Sequence, residues 1–343
     1  MRDLKKSVCI LILAALCAGT LFAGGQGQSA DGGWRPRKNI RIIVPWEAGN
    51  PVDRVTRLVA AELRSGLGVR LMIENKPGES GSIGTKMVLD APKDGYTWAA
   101  GMTSDLATYG ILDMLDTSIR DDWEIFLSVG NAGVVGVNAD SNYLTLDQLL
   151  ADFKANPGRI SVAAAGQGSA GHIIMDILHM FTGINYRLTS FNSANAAVSA
   201  VASGAELVTT QLAAEQAEMI RNKKIRPLAL VWDTDMDLDG YGVIPSIKKT
   251  IPNFSFGLDY FGIFIPKGVP DEVIDTISRI WNEKIANSAA LKKYAAEQAV
   301  VLAPAAGAVA QQKAIWWYQR AAWLYFDSGI ISQSPNLSGI PRP

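Results

Sequence analysis

The sequence is poor in the residues that carry covalent and metal chemistry. Its 343 residues include two cysteines, Cys9 and Cys17, and two histidines, His172 and His179. Both cysteines fall before Ala23, so a chain cleaved there has neither a disulfide nor a thiol nucleophile, and its stability rests on its core. The two histidines share one predicted helix with no cysteine to join them, which argues against a metal site or histidine-based catalysis. His172 reads as a first-turn residue bonded to nearby backbone, and His179 as core-facing. No Gly-x-Ser-x-Gly elbow is present, and no cofactor or catalytic residue is expected. Base is not in excess, since 32 Lys and Arg stand against 33 Asp and Glu, a net charge of −1; a nucleic-acid partner would call for a basic stripe. The longest apolar run, Val8 to Ala23, falls short of the roughly 20 residues that cross a bilayer as a helix.

That run follows Arg2, Lys5 and Lys6 and ends in small residues, the layout of a secretory signal, so residues 1–23 are read as a signal peptide and the protein as periplasmic. Cys17 has an alternative reading as a lipid-attachment site, but Leu16 is bulky where such signals want a small residue, which favours soluble export. Residues 24–33, rich in Gly, Gln and Ser, read as a disordered spacer. The remaining ~320 residues exceed one comfortable core and fit two lobes.

From Trp34 onward, strand and helix signals alternate. Ile40 to Val44 is a β-branched run, and Val55, Leu58, Val59 and Leu63 then recur at helical spacing. Strands are predicted at 70–74, 96–100, 160–164, 225–231 and 260–265. Helices are predicted at 82–90, 146–155, 171–182, 273–285 and 309–323. Such alternation implies an α/β fold with mostly parallel, doubly wound sheets, whose ligands sit beyond the carboxyl ends of the strands.

Three loops in such positions have the composition of anion sites. In the first, Pro45 to Asp53, Gly49 lets backbone approach a ligand, Pro51 suits a first helical turn and Asp53 can accept helix N–H bonds. A carboxylate there would meet unpaired amides at the positive end of a helix dipole; a plain capped turn is the alternative. The second, Ala165 to His172, is Gly-rich and offers Ser169, yet lacks the Gly-Lys-Ser/Thr of a phosphate loop. The third, Thr189 to Asn195, sets short polar donors beside Phe191 and equally fits a solvated turn.

These segments, in this order, resemble the substrate-binding proteins of tripartite tricarboxylate transporters, the Bug family, over about Ile40 to Gly307. Val44-Pro45 through Gly49, Asp53 and Arg57 is similar to the family's Val-Pro…Gly-Gly…Asp…Ala-Arg segment. Glu74-Asn75-Lys76-Pro77-Gly78 through Gly84 resembles its Glu-Asn-Arg-Pro-Gly stretch, and Pro92 to Thr97 its Pro-Asp-Gly-Tyr-Thr. Gly166 to His172 is similar to its Gly-x-Gly-Ser/Thr-x-x-His loop, with Phe191 where a Tyr is usual. Asn50, Asn192 and Ser193 depart from family residues, and the acid expected after Gly204 is either shifted to Glu206 or lost at Leu207.

The resemblance implies a two-lobed fold of the type II periplasmic-binding-protein kind, with doubly wound sheets joined by hinge strands. Lobe 1 would comprise residues 34–134 and 254–343, and lobe 2 residues 135–253, with hinges near Asn131 to Gly136 and Phe254 to Gly262. It implies a monomeric, non-enzymatic receptor that closes on a small carboxylate through backbone donors, hydroxyls and waters, and that delivers it to membrane transporter subunits. The candidate ligand-binding residues are Trp46, Ala48, Gly49, Asn50, Asp53, Thr103, Ser104, Gly168, Ser169, Phe191, Asn192 and Ser193. The altered loops, with Glu47 and Asp53, leave open an uncharged or cationic solute; an exported hydrolase is the remaining alternative.

Two further features have bland readings. Asp235, Asp237, Asp239 and Gly240 match the start of a calcium loop, but Ser246 stands at the position of the bidentate Glu, which favours a solvated acidic turn and no metal. Trp316, Trp317, Tyr318, Trp323, Tyr325 and Phe326 read as core and lobe packing.

Overall fold

Four of the five side chains of β1 (Ile40–Val44) are buried because the strand is flanked on both sides by parallel partners, β2 (Leu71–Asn75) and β3 (Thr97–Met102). The computed structural model describes residues 33–166, 169–254 and 257–342. The signal-peptide reading, Cys17, the spacer before Gly33 and the candidate Gly168 lie outside the described residues. Arg35–Pro343 forms one compact unit that holds both large sheets.

After β1, Asn50 caps α1 (Pro51–Leu67) by accepting from the Asp53 amide. Gly68, in the left-handed region, closes the helix. Its buried face, Val52, Val55, Val59, Leu63 and Leu67, follows the predicted periodicity.

The six-stranded sheet runs β13 (Val301–Ala306), β4 (Trp123–Asn131), β12 (Asp259–Pro266), β3, β1, β2. The five-stranded sheet runs β7 (Arg187–Ser190), β6 (Ser161–Ala164), β8 (Val208–Thr209), β5 (Gly133–Asn138), β9 (Ile225–Val231). The expectation of mostly parallel sheets is corrected here. β1, β2 and β3 pair in parallel, as do β6, β7 and β8, but β12 and β13 run antiparallel to β4 and β5 runs antiparallel to both of its neighbours. Strands that lead from one sheet into the other, with no crossover helix between them, need not run parallel to their neighbours. Ala132 alone separates β4 from β5, so one continuous apolar stretch serves both sheets.

The helices that matter to the site are α2 (Ser82–Leu89), α3 (Thr103–Tyr109), α4 (Leu146–Ala155), α5 (Ala170–Thr182), α6 (Ala194–Ala202) and α7 (Ala213–Arg221). They are followed by α8 (Asp271–Lys284), α9 (Ala289–Gln298) and α10 (Gly307–Asp327). Trp98, Trp123 and Trp281 are fully buried, and their indole N–H groups donate to Gly95 O, Thr117 Oγ1 and Leu127 O, each at 2.8 Å. Large apolar area is thereby buried with the indole N–H groups of these three residues paired. In α10, Trp317, Trp323 and Tyr325 are buried; the helix packs against α3, β4 and α5, which agrees with the packing reading of these aromatics.

His179 departs from its core-facing expectation. It is exposed near the end of α5, where its Nδ1 meets Ile184 O. The acidic run folds into a hairpin of β10 (Met236–Leu238) and β11 (Gly242–Ile244). There Asp235 pairs with Lys249 and accepts from the Ser246 amide, and Asp233 pairs with Lys248.

Candidate functional site

The first loop is shaped from within by Asp53. Its carboxylate is 2 % exposed and accepts from Gly49 N at 2.8 Å, from Asn75 Nδ2 at 3.0 Å and from both Nε and Nη2 of Arg57 at 2.9 Å. Burial alone would push this carboxyl up, but the bonds from Arg57, Gly49 and Asn75 outweigh it and hold it below the usual carboxylate range. Asn75 Nδ2 also donates to Trp46 O, which fixes the loop from its other side. Asp53 and the Gly49 amide therefore serve each other, in contrast to the expectation that both would face a ligand. Ala48 is exposed and Asn50 half-buried.

Thr103 and Ser104 are likewise occupied. Thr103 Oγ1 donates to Asp259 Oδ1 at 2.8 Å and accepts from Tyr260 N, and Ser104 N donates to the same Asp259 oxygen at 2.9 Å. Both side chains are buried, so they position Asp259.

In the other sheet, the loop after β6 delivers Ser169 as the cap of α5, its hydroxyl accepting from His172 N. The loop after β7 delivers Ser193 as the cap of α6, its hydroxyl accepting from Ala196 N. Phe191 is half-buried against the core, and Asn192 is exposed beside it. Each cap leaves the first-turn amides that follow it without an intrahelical partner. Glu206 lies at the other end of β6 from these loops, accepting from Ser161 Oγ beside Asn138 and Gly204, so it is not a shifted ligand acid.

Between the two sets of loops lie three carboxylates that the sequence reading did not single out. Trp46 Nε1 donates to Asp105 Oδ2 at 3.0 Å, and Met102 N reaches the same oxygen. Asp259 sits at the start of β12 opposite Asn131 of β4, whose Oδ1 accepts from Ala214 N. Glu215, the next residue, accepts from Leu212 N at 3.0 Å. Gln211, oriented to satisfy both ends, donates to Glu215 Oε2 at 3.0 Å and accepts from Ala165 N at 2.8 Å. A chain of contacts thus runs from the first loop in one sheet to the Gly-rich loop in the other.

Burial, with the neighbouring Asp259, pushes Asp105 up to about 7 against the bonds from Trp46 and Met102. Burial pushes Glu215 up to about 8, with Asp259 and Asp105 adding to it, and Asp259 up to about 6 against the bonds it accepts from Ser104 and Thr103.

Comparison with known proteins decides what this scaffold is. Residues 55–313 match the tripartite tricarboxylate transporter family receptor. The chain belongs to this family. The receptor is 26% identical to the protein BugT of Bordetella pertussis over 267 residues, 77% of this chain and 81% of the relative. It shares the fold of an R. palustris protein solved with adipate, with a TM-score of 0.71, 21% identity and coverage of 86% of this chain and 98% of that one. It also shares the fold of MatC from Rhodopseudomonas palustris with bound malate, with a TM-score of 0.71, 19% identity and coverage of 84% and 99%. The receptor is thus a periplasmic solute-binding protein by family. Among the described residues, no helix is long and apolar enough to cross a membrane.

Two of the missed acids had a local signal. Asp105 and Glu215 each stand at the third position of a helix and reach back to the amide before its first turn, the acidic half of a capping box. The third, Asp259, is the acid that opens the otherwise apolar β12.

These acids set a pH dependence with a definite sign. Their folded values lie above the unfolded range near 4, so protonation favours the fold; that contribution is complete below about pH 4 and is lost as pH rises through about 6 to 8. The ligand-free receptor is expected to melt about 5 °C lower at pH 8.5 than at pH 6 by scanning calorimetry, and Glu215→Gln to reduce that fall. A wild-type melting temperature that is flat or rising over this interval would contradict the burial of these charges.

Proposed function

We propose that the receptor is the extracytoplasmic component of a tripartite tricarboxylate-type transporter and captures a small carboxylate between its two sheets. What supports this reading is the family match, together with capped strand-to-helix loops after β1 in one sheet and after β6 and β7 in the other. First-turn amides at α5 and α6 offer donors and positive helix ends to a carboxylate. The relatives solved with adipate and with malate support the ligand class.

In this reading Trp46, Ala48, Gly49 and Asn50 form one wall, and Gly168, Ser169, Phe191, Asn192 and Ser193 the other. Asp53, Thr103 and Ser104 act as positioning residues. Residues 34–134 with 254–343 move as one lobe and residues 135–253 as the other, the chain passing between them at Ala132 and again before Asp259. Closure on the ligand excludes water and strengthens each bond. The protein is exported by its leader, acts as a monomer, needs no cofactor and hands its ligand unchanged to membrane subunits.

Isothermal titration of the full-length mature protein with malate, adipate and a panel of small mono-, di- and amino-carboxylates tests this. At least one is expected to bind one to one, raise the melting temperature by mass action and be recovered chemically intact. Absence of binding across the panel would end the carboxylate reading, and turnover of a bound compound would end the non-enzymatic one.

A further inference from the structure

Helix α9 stands with the six-stranded sheet, where it packs on α1 and β13. Its last turn nonetheless bonds across to the other half of the molecule. Asp239 N, at the tip of the β10–β11 hairpin, donates to Ala296 O at 3.2 Å, and Arg221 Nη1, on the last residue of α7, donates to Glu297 O. Both β11 and α7 pack on β9 of the five-stranded sheet. The two bonds therefore join the halves at a place outside the strands that cross between them.

Each partner is prepared locally. A helix ends with carbonyls that lack intrahelical donors, at the pole of its dipole that favours a cation. Where α9 ends, Ala299 N and Val300 N both donate to Ala295 O, so the carbonyls of Ala296 and Glu297 take their donors from elsewhere. The Glu297 carboxylate is turned to Lys293 at 3.7 Å, so Arg221 engages main chain and not an acid. Gly240 holds a φ of +80°, and a Cβ there would stand 3.2 Å from Arg221 Cδ, so glycine both makes the turn and lets the arginine stem pass. Asp239 and Ala296 are exposed and Arg221 is half-buried, so water can replace these bonds when the halves part. A contact between parts that move is polar in this way, whereas a permanent one buries apolar surface. From Arg221, the nine residues of α7 lead back to Ala214 N on Asn131 Oδ1, beside the crossing at Ala132, and to Glu215, which reaches the Gly-rich loop through Gln211.

We propose that Arg221 and the tip of the acidic hairpin form a latch on the C-terminal turn of α9 that holds the two halves closed and so sets the affinity for solute. The proposal rests on the reading of the halves as lobes that move, and it is independent of the solute's chemistry. The latch bonds exist only in the closed form, so they shift the balance towards it by their own free energy. Solute is held by that form, and its apparent affinity follows the fraction of molecules that reach it. Arg221 and Asp239 touch no solute and act as positioning residues. The run from Asp235 to Gly240 thereby has a role that its resemblance to a calcium loop does not supply.

Two variants remove one bond each. Arg221→Met keeps the apolar stem beside Gly240 and deletes the guanidinium. Asp239→Pro deletes the hairpin amide at a position that tolerates it: Tyr241 N donates to Leu238 O at 2.9 Å across the turn, and Gly240 has its positive φ in the third position, the pattern of a type II turn, which favours proline in the second. Small-angle X-ray scattering of the ligand-free mature protein is expected to give a larger radius of gyration for both variants than for wild type. Titration with the tightest-binding carboxylate of the panel above is expected to show affinity lower by about fivefold for Asp239→Pro and about tenfold for Arg221→Met, the ranges of a neutral and a charge-assisted bond. The loss should lie in faster dissociation, and Glu297→Gln, which leaves the Glu297 carbonyl in place, should match wild type in every respect. A radius of gyration unchanged in both variants, whatever their melting temperatures, would overturn the latch, and so would tighter binding by either. Should no carboxylate of the panel bind, the carboxylate reading falls and the scattering comparison still decides the latch.

Discussion

Replacing Asp53 with alanine is expected to destabilise the protein by about 3 kcal/mol, because one buried carboxylate satisfies three separate parts of the first loop. It holds the Gly49 amide, the Asn75 side-chain amide and the Arg57 guanidinium, and Asn75 in turn holds Trp46 O. Removing it leaves the Gly49 and Asn75 donors unpaired and unlocks the turn at Gly49, whose φ of +85° is one that glycine reaches without strain. A fall in melting temperature of about 5 to 10 °C in calorimetry is the expected readout. Arg57→Ala should cost less, since that guanidinium is half-exposed and an exposed partner gains less from pairing. The pH dependence has the opposite sign to that of Asp105, Glu215 and Asp259. The Asp53 carboxyl lies below its ordinary range when folded, so its contribution is present above about pH 4 and is lost as pH falls further. An Asp53→Ala protein as stable as wild type would show that the loop is not built on this residue.

The second large effect concerns ligand binding without any change of side-chain chemistry. Ala170 is the first residue of α5, and Ser169 before it is extended at φ −68° and ψ 158°, a conformation compatible with a following proline. Proline suits a first helical position, so Ala170→Pro is expected to leave the fold within about 0.5 kcal/mol of wild type while deleting one backbone N–H. If that amide donates to a carboxylate, affinity falls tenfold or more, the range of a hydrogen bond to a charged group. Ala194→Pro makes the same test at α6, where Ser193 is also extended. Calorimetric titration with the tightest-binding carboxylate provides the measurement. Unchanged affinity in both proline variants, with melting temperatures preserved, would remove the helix termini from the site.

Much of the scaffold was legible because its signals are local. The reading of 40–44 as a strand coincides with β1, and that of 146–155 with α4, since each has an unbroken apolar pattern bounded by turn residues or a cap. The sequence around β4 and β5 was not divided into strands. Residues 123–138 are almost uniformly buried, and although Gly130 and Gly133 flank Ala132 in the expected hinge, no proline or polar run breaks the apolar stretch into two strands. β13, an edge strand that contains Pro304, and β8, two residues long, are too short or too atypical for periodicity to show. α7 was missed because its apolar face is made of alanines and Ile220.

For the site, composition led to the loops and their caps, while their internal hydrogen bonding stayed hidden. Asp53 and Thr103 were chosen for donor and acceptor chemistry, yet that chemistry is used on Asn75 and Asp259, partners distant in sequence. The acids were invisible for the same reason. Asp105, Glu215 and Asp259 come from three segments spread over more than 150 residues, a separation that the Thr103–Asp259 hydrogen bond spans, and only the meeting of β4, β12, α3 and α7 brings them together.

The most direct test is a crystal structure of the mature protein with its tightest-binding solute. The solute is expected between the two sheets, its carboxylate within hydrogen-bond distance of first-turn amides of α5 or α6 and its other end against Trp46. A solute bound on an outer face, or one held between the sheets with no contact to those helix termini, would contradict it.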